Sequence, residues 1–182
     1  MVDIVFEAQR RTAEEFLELY DRSQSNAEVK GRTVLIGALT NTDPNVRARI
    51  VTVLLDDGAD ARATLHDGTN ALHALFGSAD LDPEPEAPVL RRLIEGGADV
   101  NAVAKKFGTP LQVLMGQFRY TDDVLGPFYD VLFDVDDLDP LVVGAYGKSA
   151  YAMAVKSGRR HELRARIEQF LRDHQIQIPE GA

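Results

Sequence analysis

Four leucines, Leu54, Leu93, Leu132 and Leu171, stand three successive steps of 39 residues apart, and a second row of Leu35, Leu72, Leu111 and Tyr151 keeps pace with them. A fixed period of a few tens of residues means that one supersecondary unit is copied and stacked. Each copy is too small to bury its apolar face alone and relies on its neighbours. A chain of this kind builds one elongated core shared between units, and it offers partners a surface more readily than a pocket.

The intervals between the rows identify the unit. From Leu54, Leu93 and Leu132 forward to the next member of the other row the gaps are 18, 18 and 19 residues, whereas within a unit they are 19, 21, 21 and 20. The shorter interval is crossed by Gly58-Ala59-Asp60-Ala61 and by Gly97-Ala98-Asp99-Val100-Asn101-Ala102. These lead into Gly68-Thr69-Asn70-Ala71-Leu72-His73 and Gly108-Thr109-Pro110-Leu111-Gln112. The residues resemble the ankyrin repeat, whose unit opens on Gly-x-Thr-Pro-Leu-His and closes on Leu-Leu-x-x-Gly-Ala-Asp-Val-Asn-Ala. The resemblance covers roughly residues 31 to 174 and fades toward both ends, as capping units do.

The resemblance implies an all-α fold, an ankyrin-repeat solenoid of stacked helix pairs with short β-hairpin-like connections and a period of about 37–40. N-terminal cap helices occupy 1–30, repeats occupy 31–66, 67–105 and 106–145, a C-terminal capping repeat opens at Gly147 and occupies 146–174, and 175–182 is a tail. The third Gly-Ala-Asp is replaced by Asp134-Val135-Asp136-Asp137-Leu138-Asp139-Pro140, so the hairpin there loses its sequence support. The usual ankyrin period is about 33. The excess lies between the two helices of each unit, which predicts longer helices or bulkier back loops.

Local signals agree with that division. Residues 3–10 and 13–22 read as two helices, the second announced by the capping box Thr12-Ala13-Glu14-Glu15. A helix over 45–55 follows Asp43-Pro44, with Val46, Ile50, Val53 and Leu54 facing inward and Gly58 ending it. Pro88 and Pro127, again 39 apart, are expected to start two further helices, and Asp80 to Glu86 reads as an acidic loop. The last helix runs over 160–174 with Leu163, Ile167, Phe170 and Leu171 inward. Arg47, Arg49, Arg91, Arg92, Arg160, Arg164 and Arg166 are read as outer-surface charges.

Charge and composition exclude several classes. Twenty Lys and Arg against 29 Asp and Glu leave a net charge of −9, which opposes nucleic-acid binding because phosphate contacts from basic residues dominate that affinity. No run of 18 apolar residues exists and the N-terminus lacks a signal-peptide pattern, so a membrane span is not expected and a cytoplasmic location is. With no cysteine there is neither a disulfide framework nor a thiolate metal site.

Motifs with chemical potential fail their context. Gly147-Lys148-Ser149 ends like a phosphate-binding loop, but Val142 stands where its first glycine belongs. Asp134, Asp136, Asp137 and Asp139 lack the glycine and glutamate of a calcium loop and read as a solvated acidic finger. Asp67-Gly68-Thr69 has Leu65 where a phosphatase nucleophile would stand. His66, His73, His161 and His174 form no metal-ligand spacing, and no serine sits in a nucleophile elbow. No catalytic residue, metal site or cofactor is expected. The resemblance gives His73 a structural role, bonding backbone across units.

The expected function is non-enzymatic: a monomeric protein-protein interaction module that binds another protein through the concave surface of an ankyrin stack. The resemblance carries the binding positions onto Lys30, Arg32, His66, Asp67, Thr69, Lys105, Lys106, Gln117, Tyr146, Lys148 and Lys156. All five lysines fall at hairpin tips or the ends of inner helices, which predicts a basic groove on an acidic body and an acidic patch on the partner. Phe107, Phe118, Tyr120 and Tyr146 are candidate aromatic anchors, with Tyr146 expected to be exposed. The alternative is an immunity protein or antitoxin of small bacterial type, neutralising a basic toxin through its acidic surface around 80–86.

Overall fold

The computed structural model describes residues 2–179. They form ten α-helices and one two-stranded hairpin: α1 (Ile4–Arg10), α2 (Ala13–Leu19), β1 (Glu28–Val29), β2 (Arg32–Thr33), α3 (Val34–Leu39), α4 (Pro44–Asp56), α5 (Ala71–Phe76), α6 (Pro83–Glu95), α7 (Pro110–Met115), α8 (Asp122–Leu132), α9 (Ala150–Lys156) and α10 (His161–Asp173). The protein is therefore all-α in class. No described helix is long and apolar enough to cross a membrane.

Most helices are too short to persist alone, because helix nucleation is costly and isolated helices below about 12–15 residues are marginal in water. Side-chain caps offset part of that cost. Asp3, Thr12, Thr33, Asp43, Asn70, Asp82, Thr109 and Ser149 each accept a hydrogen bond from a first-turn N–H. The capping box expected at Thr12 and Glu15 is present, although α2 stops at Leu19 and a 3-10 turn over Arg22–Gln24 follows.

Packing organises the helices into two rows. The odd-numbered helices lie against one another in succession from α1 to α9, the even-numbered ones from α2 to α10, and α3, α5 and α9 also pack on the helix that follows each. Leu54, Leu93, Leu132 and Leu171 fall in α4, α6, α8 and α10 and are all fully buried; Leu35, Leu72, Leu111 and Tyr151 are buried in the other row. One apolar cluster runs without a break from Ile4 to Leu171. A side chain of this class contributes about 1.5–3 kcal/mol on burial, so each row alone supplies several times that amount.

Two prolines stand where they were not expected. Pro88 and Pro127 lie inside α6 and α8, which begin at Pro83 and Asp122. A proline inside a helix removes one hydrogen bond, at a cost of about 3 kcal/mol where the freed carbonyl is buried. Here both prolines and the carbonyl residues four positions earlier, Glu84 and Asp123, are exposed, so the freed carbonyls are not stranded in the core. The expected extra length goes into the even-numbered helices, of 11 to 13 residues from α4 on, while α3, α5, α7 and α9 keep six or seven.

The chain leaves each odd helix by a short link (40–43, 77–82, 116–121, 157–160) and returns from each even helix by a longer turn (57–70, 96–109, 133–149). Links and turns therefore occupy opposite edges. The link edge contains what the sequence placed on the surface. Arg47 is fully buried: Nε donates to Glu86 Oε1 at 2.6 Å, and the other nitrogens donate to the carbonyls of Asn41 and, at 2.6 Å, Asp80. Glu86 is equally buried and also accepts from Asp82 N–H at 2.8 Å. The expected acidic loop is thus half helix, with one carboxylate turned into the core. Burial pushes the Glu86 carboxyl up, and Arg47 opposes that shift.

Arg160 repeats the device at the other end. It donates to the carbonyls of Met115, Gln117 and Tyr120 at 2.8–3.0 Å and to Asp122 Oδ1 at 3.2 Å. Asp122 in turn accepts from the N–H groups of Glu162 and Leu163 and from the Tyr129 hydroxyl. The tail keeps contact through Ile178, half-buried against the core, while Ile176 is exposed; positions 180–182 of the expected tail lie outside the described residues.

Candidate partner-binding surface

The turn edge holds most of the side chains that the sequence proposed for binding, Gln117 and Lys156 lying at the links, and ties between successive turns hold it in place. Asn26 Nδ2 donates to Gly58 O while its Oδ1 accepts from Asp60 N–H, and Asn101 makes the same pair of bonds with Asp137 O and Asp139 N–H. His73 Nε2 lies 2.8 Å from Gly108 O, which can only accept, so this nitrogen carries the proton and Nδ1 accepts from Asn70 N–H. Gln112 takes the same place one unit later, bonding Lys148 O at 2.9 Å and Ala145 N–H at 3.0 Å. Desolvation lowers the His73 pKa, which keeps the ring neutral.

Successive turns approach so closely that glycine is required at two of them. Gly68 has φ +87 and a Cβ there would meet Val103 O at 2.6 Å; Gly108 has φ +75 and a Cβ would fall on Gln112 Oε1 and within 2.5 Å of Ala145 N. The acidic finger also serves this edge. Asp139 accepts from Leu141 N–H at 2.8 Å as Asp99 does from Asn101 N–H, so an aspartate-stabilised turn survives where the Gly-Ala-Asp signature is lost. Beyond it Gly144 N–H donates to Lys148 O around a 3-10 turn, in place of a bridge. Asp134 pairs with Arg91 at 2.8 Å. Among the described residues no group of three or more His, Asp or Glu side chains is arranged to hold a metal ion.

The proposed binding residues separate into three sets. Lys30, at positive φ between β1 and β2, and Arg32 line a cleft of about 290 Å³ with Phe6, Gln9 and Val29. His66 is exposed, but Asp67 and Thr69 belong to the turn itself: the Asp67 carboxylate accepts from Thr69 N–H at 3.0 Å, which holds its pKa down, and Asp67 O accepts from Lys105 N–H. Lys105, Lys106, Tyr146, Lys148 and Lys156 are exposed around α7 and α9. Gln117, half-buried on the link, spends its amide on the carbonyls of Phe76 and Ser78.

Of these, Lys106, Tyr146 and Gln117 line a groove of about 310 Å³, while Lys105, Lys148 and Lys156 stand outside its lining. Lys106 and Phe107 come from one turn, Ala145 and Tyr146 from the next, Gln112 and Val113 from α7, Met153 from α9, and Gly116, Gln117 and Phe118 from the link. Three aromatic side chains stand out of the core here: Phe107 is 51% exposed, Phe118 63% and Tyr146 88%. A second cleft of about 420 Å³ begins on the other side of Phe118 and is lined by Arg119, Tyr120, Thr121, Gly158, Arg159 and His161. Tyr120 is half-buried: its hydroxyl accepts from Leu81 N–H at 2.9 Å and it packs on the core.

Charge distinguishes this face from the rest. Eleven of the 15 arginines pair with a carboxylate, whereas among the described residues none of the five lysines does, and neither does Arg159. Arg159, Arg119, Val113, Met153 and His161 were not among the binding residues read from sequence. Arg159 alone carried a signal, as an arginine preceding a helix, and nothing in the repeat register set it apart. The acidic stretch at 80–86 offers less surface than its composition suggests, since Glu86 is buried, Asp82 caps α6 and Asp80 pairs with Arg119.

No family model matches the chain, and no curated protein matches it. A solved structure described as a functionally unknown protein from Leptotrichia buccalis C-1013-b superposes with a TM-score of 0.76 at 23% identity, covering 96% of each chain. At that identity the likeness speaks to a shared fold alone.

Proposed function

We propose that the chain is a solenoid of ankyrin type that acts by binding another protein on the face made by its odd-numbered helices and turn tips. Support for the ankyrin part comes from the Gly-Thr-Pro-Leu and Gly-Ala-Asp signatures, from the two helix rows, and from His73 and Gln112 bridging successive turns. Support for the binding part comes from one observation above the rest: Phe107, Phe118 and Tyr146 stand exposed around a single groove instead of in the core. Exposed aromatic clusters are costly to keep in water, and interfaces are enriched in such side chains.

The surface is testable by position. A photo-crosslinking amino acid at Tyr146, in a chain expressed in its native cell, is expected to capture a discrete protein that the same group at Arg91, on exposed α6, does not. Phe107→Ala and Phe118→Ala should reduce capture while leaving the melting curve in place. Capture from Arg91 only, or capture indifferent to both alanines, would sink the proposal.

A further inference from the structure

The two clefts that meet at Phe118 narrow the basic groove expected from the lysine positions to one lysine and the cations of the link edge. Their linings hold Lys106, Arg119, Arg159 and His161 and not one aspartate or glutamate, in a chain with nine more acids than bases. Lys106 and Arg159 have no carboxylate partner among the described residues, Arg159 donating only to the Phe118 carbonyl at 3.3 Å, whereas Arg119 is paired with Asp80 from outside the lining. Between the cations lie the apolar surfaces of Phe107, Val113, Phe118 and Met153. The track runs from the turn tips along α7 and α9 to the link edge and then past Phe118 to the start of α10.

We infer that this track takes an extended acidic segment of a partner protein, with one apolar side chain of that segment seated against Phe118. The inference rests on the protein-binding reading above and names the partner's chemistry. Carboxylates on the segment meet Lys106 at one end and Arg159 at the other, where unpaired cations steer association and fix register more than they add raw affinity. The apolar residue between them covers Phe118 and displaces water from the ring. A nucleic acid fits less well, because a polyphosphate must approach a body of charge −9 with only a few free cations to offset the repulsion.

A displayed library of random peptides of roughly twelve residues, long enough for an extended recognition segment, supplies the probe. It is panned on the whole protein with counter-selection against the double variant Lys106→Glu, Arg159→Glu, in which both altered residues are exposed. The enriched pool is expected to be rich in Asp and Glu with one recurrent apolar position. A synthetic member, followed by fluorescence anisotropy, should lose about tenfold or more in affinity to the double variant, and comparably to Phe118→Ala. It should also weaken as salt rises from about 50 to 300 mM. A pool without acidic enrichment, affinity within about twofold after charge reversal, or stronger binding of a single-stranded oligonucleotide of similar length overturns the inference. Selected peptides that lack acids yet compete with the protein captured from Tyr146 would reject the acidic segment while leaving the protein-binding surface standing. Binding indifferent to Phe118 as well would remove both.

Discussion

The two edges of this molecule solve the same problem with opposite materials. At the turn edge, neighbouring units are joined by neutral groups, Asn26, His73, Asn101 and Gln112, each reaching a backbone group of the next turn. At the link edge the joints are ionic: Arg47 with Glu86, and Arg160 with Asp122, both sealed from solvent. Orphaned backbone carbonyls need donors in either place. The turn edge spreads its ties over several neutral bridges, whereas the link edge concentrates three bonds on the Arg47 charge and four on that of Arg160.

Substitutions can break or sharpen that contrast. The largest effect is expected for Glu86→Gln, which strands the Arg47 guanidinium and should cost about 3 to 5 kcal/mol in chemical denaturation. Gly108→Ala comes next, at more than about 1 kcal/mol, since it forces a side chain into positive φ and onto Gln112 and Ala145. His73→Gln is smaller and depends on pH. The folded pKa of His73 is depressed, so the unfolded chain binds the proton first, and stability from this site, full above about pH 6.5, falls as pH drops through the depressed value. Glutamine, which already serves at position 112, should leave the melting temperature unchanged near pH 8 and raise it relative to the parent near pH 5. The smallest effect is expected for Asp134→Ala, whose exposed pair with Arg91 should shift stability by less than about 1 kcal/mol. An Asp134 effect as large as that of Glu86 would erase the distinction between surface and link-edge ions.

The division between legible and illegible follows the same line. Burial of Leu54, Leu93, Leu132 and Leu171 was readable because an apolar side chain at a fixed period has one place to go. Thr12 and Glu15 were readable because a capping box is local. Arg47 and Arg160 were not, because their partners are carbonyls of links belonging to adjacent units, and an arginine's exposure is decided by who waits for it. Pro88 and Pro127 misled for another reason. Their shared register with a helix was real, but Asp82-Pro83 repeats the Asp43-Pro44 start signal, and that signal decided where α6 begins. At the candidate surface, the exposure of Tyr146 was expected from its turn, whereas the second cleft beyond Phe118 depends on how α10 docks and left no mark in the repeat.

Arg47 reaches forward from the first complete helix pair into the second, and Arg160 reaches back from the last pair into the third. Stacks of small units ordinarily peel from their ends, one layer giving way before the next. Here peeling α4 away would leave Glu86 without its countercharge, and peeling α10 away would do the same to Asp122, each inside a dry seam. The body from α3 to α10 is latched inward at both of its ends, so it should come apart as one and not leaf by leaf, with α1 and α2 outside either latch.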